Sequence, residues 1–303
     1  MRHFLLSLST LIIFFACNTN TENKEKEVIT DRLDIQGHRG ARGLLPENSI
    51  RGFVKAVDLG VTTLELDLCI TRDKQVIVSH EPYMSSEICL DKNRNMIDED
   101  TARQLNIYQM DYAEVMLYDC GSLMHQRFPS QGKVKVVKPR LSDVFGRIES
   151  YCEANGLNAV NYNIELKSNL RYDNVYHPEP KEFSDLVFRE IDGKVDWSRV
   201  TIQSFDFRIL QYFKETYPTI RLSQLIENEK SWQENVESLG FKPDIYSCYY
   251  ELLTQEIINE LHTENILVIP WTINEIPEME KLIDWGVDGI ITDYPDRIKE
   301  LKI

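Results

Sequence analysis

Thr63-Leu64-Glu65-Leu66-Asp67-Leu68 alternates apolar and acidic side chains without a break after its first residue. Side chains two apart on a strand share a face. Leu64, Leu66 and Leu68 therefore point one way, and Glu65 and Asp67 the other. Further along, Asn163-Ile164-Glu165-Leu166-Lys167 repeats the pattern, with Asn163, Glu165 and Lys167 opposite Ile164 and Leu166. Two such strands suit a sheet whose apolar face packs under helices and whose other face encloses a polar site.

Strand-type runs recur on either side of these two. They cover residues 33–37, 62–71, 161–167, 200–204, 220–225, 244–248, 266–272 and 289–293, with residues 75–80 as a local hairpin partner of the second. Helical patterns lie between them. Asn48 or Ser49 caps one with Ile50, Phe53, Val54 and Val57 on a single face, closed by Gly60. Ser142 caps another with Val144, Phe145, Ile148 and Cys152 inward, ending at Gly156; Asp206 caps a third, and a fourth runs from about Pro277 to Gly286. Eight strands alternating with helices predict an α/β fold, a (β/α)8 TIM barrel over residues 34–303, with an open doubly wound sheet as the alternative. No G-x-G-x-x-G follows the first strand, so nucleotide-binding folds lose support. Residues 91–138 break the rhythm. They are polar and weakly periodic, and are expected to form an insertion after the second strand region, packed over the barrel mouth.

The formal charge is −15 with no Lys/Arg-rich block, which argues against nucleic acid as a partner. A phosphate ester would need positive charge supplied inside the site. Burying Glu65, Asp67 and Glu165 together costs several kcal/mol, by order of magnitude, unless they are neutralised. One hard divalent cation, Mg2+ or Ca2+, suits an all-oxygen ligand set, whereas zinc would draw in more His or Cys. An ion-pair network with Arg39 and Lys167 is the alternative. His38 follows the first strand and His80 the hairpin strand, positions that fit a general acid and a general base. Arg39 offers a planar fork for phosphate oxygens and Lys167 a point charge.

In order along the chain stand Gly37-His38-Arg39-Gly40, Pro46-Glu47-Asn48-Ser49, Glu65-Leu66-Asp67, Val78-Ser79-His80 and Pro139-Arg140-Leu141-Ser142-Asp143-Val144. Asn163-Ile164-Glu165-Leu166-Lys167, Gln203-Ser204-Phe205-Asp206, Trp271-Thr272-Ile273-Asn274 and Gly286-Val287-Asp288-Gly289-Ile290-Ile291-Thr292-Asp293-Tyr294-Pro295 follow. The set resembles the glycerophosphodiester phosphodiesterase family. That resemblance implies a (β/α)8 barrel, a divalent cation, and hydrolysis of glycerophosphodiesters to glycerol 3-phosphate and an alcohol. It implies that Glu65, Asp67 and Glu165 hold the metal, that His38 and His80 exchange protons, and that Arg39 and Lys167 hold phosphate. Glu47 would orient or support the metal site, and Gln203 and Trp271 would line the pocket. The pattern departs after His80, where the family carries His-Asp and a Thr-containing stretch and this chain reads His80-Glu81-Pro82-Tyr83. Glu81, one methylene longer, still reaches to brace His80, and substrate preference is what the change bears on. Two rival functions remain. A phospholipase D- or sphingomyelinase D-like lipid phosphodiesterase would be favoured by an apolar stretch in the insertion. A non-catalytic glycerophosphodiester-binding lipoprotein would not need two His.

Arg2 and His3 precede an apolar run over residues 4–15 that reaches Ala16-Cys17. The run is too short to span a membrane and fits a signal peptide, residues 1–16. A small residue directly before Cys resembles a bacterial lipoprotein cleavage site, which implies lipid on Cys17 and residues 17–33 as a polar tether. The chain is then exported and membrane-anchored, periplasmic or at the cell surface; an ordinary secretory signal is the alternative. Cys69, Cys89, Cys120, Cys152 and Cys248 are odd in number and contain no CxxC. They suggest no zinc site, and export permits a disulfide without selecting its pair.

Overall fold

The computed structural model describes residues 33–301. The expected signal peptide, Cys17 and the expected tether up to residue 32 lie outside the described residues.

Among the described residues nine strands form one sheet: β1 Asp34–Gly37, β2 Thr63–Ile70, β3 Val76–Val78, β4 Asn161–Leu166, β5 Val200–Ser204, β6 Arg221–Ile226, β7 Ile245–Cys248, β8 Leu267–Val268 and β9 Gly289–Thr292. Their order is β8-β7-β6-β5-β4-β2-β1-β9, all parallel, with β3 antiparallel on β2. β8 is shorter than the expected 266–272. Pro270 has no N–H to offer a ladder. The seam is drawn together instead by single bonds, Asp288 N to Val268 O (2.9 Å), Ile291 N to Pro270 O (3.0 Å) and Ile273 N to Ile291 O (2.9 Å). The result is a nearly closed (β/α)8 barrel.

The helices are α1 Ile50–Leu59, α2 Glu99–Ala102, α3 Tyr112–Val115, α4 Leu141–Asn155, α5 Pro180–Ile191, α6 Phe207–Thr216, α7 Trp232–Leu239, α8 Gln255–Thr263 and α9 Ile276–Asp284. Of the two caps weighed for α1, Ser49 serves: its Oγ accepts from Gly52 N at 3.0 Å. α4 begins at Leu141, one residue ahead of the expected cap Ser142. Asp206 caps α6 by accepting from Arg208 N at 3.1 Å.

Register positions the acids. Asp67 lies level with Glu165 and Glu65 with Asn163, while Glu165 lies level with Gln203 on the next strand. The barrel interior is divided. On one side Asn163 Nδ2 donates to Gln36 Oε1 (2.7 Å) and Gln203 Oε1 (3.0 Å), a buried polar ladder beneath the acids. On the other, Ile245, Ile269 and Ile291 pack together with Trp271 against them.

Residues 91–138 contain α2 and α3 and share a small core with β2 and β3, in which Ile97, Ile107 and Val115 meet Cys69 and Ile77. A disulfide joins Cys89 to Cys120, while Cys69, Cys152 and Cys248 are free and buried. The segment then runs back along the start of the barrel, with Gly132 N donating to Leu44 O (2.8 Å) and Gln131 Nε2 to Arg42 O (2.6 Å).

Candidate active site

The turn after β1 is built around two left-handed residues, Arg39 (φ 51°) and Gly40 (φ 88°). At Gly40 a Cβ would sit 2.8 Å from the Gly52 carbonyl carbon, so glycine lets α1 approach. At Arg39 the unusual backbone, which costs about 1 kcal/mol or more, aims the amide at the site. Arg39 N donates to Glu65 Oε2 at 2.8 Å, and its Nη1 donates to Glu47 Oε1 at 3.1 Å. Its Nε lies 3.4 Å from Asp67 Oδ2. Arg42 Nε is 2.6 Å from Glu47 Oε2, but bent off the hydrogen-bond line.

The three acids converge. One oxygen of each of Glu65, Asp67 and Glu165 lies within 4.8 Å of the others, and all three residues are buried. Gln203 Nε2 donates to Glu65 Oε1 (2.9 Å), Asn48 Nδ2 to Asp67 Oδ2 (2.8 Å), and Lys167 Nζ lies 2.8 Å from Glu165 Oε1. Burial raises Glu65 well above the usual carboxylate range, helped by the Asp67 charge. Burial and Asp67 likewise push Glu165 up to about 7 against the pull of Lys167. Burial opposes the Asp67 carboxylate too, yet Arg39, His80 and Lys167 outweigh it and hold Asp67 low. Asp67 thus carries the charge while its neighbours favour protons. A hard cation would replace those protons, and the all-oxygen donor set fits one.

Each histidine is backed by a carboxylate. His38 Nδ1 lies 2.7 Å from Asp293 Oδ1, and Asp293 Oδ2 accepts from Asn274 Nδ2 at 2.8 Å. His80 Nδ1 lies 2.8 Å from Glu81 Oε1. His80 hydrogen bonding, opposed by burial, holds Glu81 down at about 2; His38 and Arg42 overcome burial to hold Asp293 at about 2. Both carboxylates are ionised acceptors, so both Nδ1 atoms donate, which leaves Nε2 of each neutral ring as the acceptor nitrogen. Burial lowers His38 against the lift from Asp293. Burial, then Arg39 and Lys167, push His80 down to about 4.

A cavity of about 380 Å³ opens at the C-terminal ends of the strands, where barrel sites lie. His38, Arg39, Glu65, His80, Glu165, Lys167, Gln203 and Trp271 line it, while Asp67 and Glu47 stand behind as their partners. Trp271 is fixed by donating Nε1 to Ser247 O at 3.0 Å. All ten sequence-selected residues are therefore brought together. Sequence reasoning did not select Asn48, Phe205, Asn274 and Asp293, although all four sit inside the family-like motifs. It also missed Arg42 and Arg127, for which no local pattern gave a signal.

The sequence model described as the glycerophosphoryl diester phosphodiesterase family matches residues 38–297. The chain belongs to that family. It is accordingly a phosphoric diester hydrolase by family. It is 28% identical to a glycerophosphodiester phosphodiesterase of Bacillus subtilis, over 99% of this chain and 96% of the relative. Among solved structures it resembles a family protein from Silicibacter pomeroyi, at 27% identity and a TM-score of 0.77 over 88% of this chain and 92% of that one. It also shares the fold of an Oleispira antarctica phosphodiesterase crystallised with the product sn-glycerol-3-phosphate, at 20% identity and a TM-score of 0.70, over 89% and 97% of the two chains.

Proposed function

We propose that this chain hydrolyses glycerophosphodiesters to glycerol 3-phosphate and an alcohol, with one divalent cation, Mg2+ or Ca2+, held by Glu65, Asp67 and Glu165. The observation that carries this reading is the meeting, in one cavity, of the acidic triad with two carboxylate-backed histidines. When bound, the cation supplies positive charge to the phosphoryl oxygens. Arg39 and Lys167 add to it from beside the triad, where charge develops as the bond breaks. His38, uncharged and oriented by Asp293, presents Nε2 as the base that takes a proton from water or a neighbouring substrate hydroxyl. His80 acts as the acid toward the leaving alkoxide. An anionic diester against Arg39 and Lys167 offsets the two charges that help keep His80 unprotonated, and so favours the protonated form this role needs.

The test is turnover of a panel of diesters with and without EDTA. Activity indifferent to chelation would sink the cation. His38→Ala and His80→Ala are each expected to lower kcat by about two to four orders of magnitude, and unaltered rates in both would remove them from the mechanism. The same proposal places the enzyme outside the cytoplasm, anchored in the membrane through lipid on Cys17, on the strength of the Ala16-Cys17 junction. Cys17→Ala should release it from detergent-extractable membranes; a variant that stays membrane-bound overturns the anchor.

A further inference from the structure

The cavity has two extensions. Toward β7 and β9 it continues into a space of about 330 Å³ where the carboxylates Glu227, Glu275 and Glu278 stand beside Arg127, Tyr249, Tyr250 and Trp271. Toward β3 and β4 it continues into a lobe of about 320 Å³, which shares His80, Glu165, Lys167 and Phe205 with the catalytic cavity. This second lobe is walled by tyrosines. The rings of Tyr83 and Tyr176 lie 6.3 Å apart, and those of Tyr176 and Tyr172 lie 5.4 Å apart, edge to face.

The apolar surface does not stop at the lobe. The loop between β4 and α5 leaves Leu170 69% exposed, Val175 47% and Tyr172 42%. Phe205, in the wall nearest the triad, is 40% exposed. Isolated exposed apolar residues need no explanation, but several on one loop that also walls a lobe of the catalytic cavity do. The loop is also fastened down. Asn106 Nδ2 donates to Val175 O at 2.7 Å, Asn169 N donates to His177 Nε2 at 3.0 Å, and Arg208 grips Asp173 with bonds of 2.7 and 3.0 Å. These side chains are held outward by a built loop.

We infer that this tyrosine-walled lobe is the subsite for the leaving alcohol, and that it is shaped for an alcohol bearing an apolar chain. The inference rests on the proposed phosphodiesterase activity and specifies its second product. His80 stands in the wall shared by cavity and lobe, so an alkoxide released there meets the proton donor at once. In the step, the phosphorus–oxygen bond to the alcohol breaks and its electron pair stays on that oxygen, which takes the proton from His80 Nε2. The oxygen of water bonds to phosphorus and gives its proton to His38; where a substrate hydroxyl attacks instead, it leaves a cyclic phosphate, and water then breaks one ring phosphorus–oxygen bond to give glycerol 3-phosphate. A chain on the departing oxygen runs along Phe205, Tyr83, Tyr176 and Tyr172 to Leu170. An apolar surface of the kind a lipid-type substrate requires is thus offered by the β4–α5 loop.

The experiment uses the mature chain with Mg2+ or Ca2+ and a series of n-alkyl esters of glycerol 3-phosphate, ethyl to octyl, each kept below its micelle concentration. Transfer of each methylene out of water should raise kcat/KM by roughly twofold to fourfold, until the chain passes the rim. Leu170→Ser and Tyr172→Ser, both at exposed positions, should flatten that slope, with turnover of the ethyl ester as the check that each variant is folded. A parallel series carries the chain on the glycerol half, as 1-acyl-glycerophosphocholine. A gain confined to that series overturns the leaving-alcohol assignment. Turnover of glycerophosphocholine and of the ethyl ester with no chain-length slope overturns the subsite while leaving the phosphodiesterase reading intact. No turnover of any diester overturns both.

Discussion

At the scale of single residues, the site works through pairs. His38 has Asp293 and His80 has Glu81, each at hydrogen-bonding distance from Nδ1. Asp293→Asn keeps the shape and loses the charge that lifts His38, so kcat should fall by about two orders of magnitude or more while KM changes little. The sign of the pH effect follows from the cause. Asp293 raises the His38 proton affinity, so its removal should move the acidic limb of kcat/KM to lower pH; a limb that stays in place would deny the pairing. Arg127 gives a contrasting case. It reaches the cavity from the insertion and has no ion pair among the described residues, whereas Arg39, Arg42 and Lys167 are all engaged by acids. Arg127→Ala should therefore raise KM by about threefold to tenfold with kcat nearly constant, as loss of an exposed steering charge does. An equal loss in kcat would instead place Arg127 at the reacting phosphate.

At the scale of elements, order comes from two different sources, and only one leaves a trace in sequence. β2 and β4 repeat every second residue, so the facing of Glu65, Asp67 and Glu165 is legible from alternation alone. The insertion has no such period. Its order comes from contacts made at a distance: the Cys89–Cys120 bond, the shared core with Cys69 and Ile77, and the return along Leu44. The disulfide closes a loop over a separation of 31 residues, worth about 3–4 kcal/mol if loop entropy dominates. Reduction should therefore loosen residues 89–120 selectively. Hydrogen exchange is expected to quicken there and at neighbouring β3, with β5 to β7 still protected. Uniform loosening of the barrel would mean that the bond secures the whole fold, and no change would mean that the insertion core suffices without it.

At the scale of the whole molecule, the barrel holds a cluster of acids in its mouth within a chain of net charge −15. Arg39 and Lys167 offset that cluster only in part, since Glu65 and Glu165 still favour protons. Neither the offset nor its shortfall is legible from the strand pattern, because both depend on distances across β1, β2 and β4. Their consequence is global. In the unfolded chain Glu165 titrates near its ordinary value of 4.5, and in the cation-free fold near 7. Between those values the folded state holds a proton that the unfolded state has released. Stability from this group is therefore present at low pH and lost as pH rises through 7. His38 and His80, lowered in the fold, act in the opposite sense below about 6.5, so the effect is isolated by comparison with Glu165→Gln. In EDTA the wild type should lose Tm relative to that variant, by a few degrees, as pH goes from 5.5 to 8. Mg2+ or Ca2+ should restore the wild type most at the higher pH, because bound cation requires the deprotonated acids, and should do little for the variant. Parallel Tm curves for the two proteins in EDTA would show that the triad does not hold a proton in place of the cation.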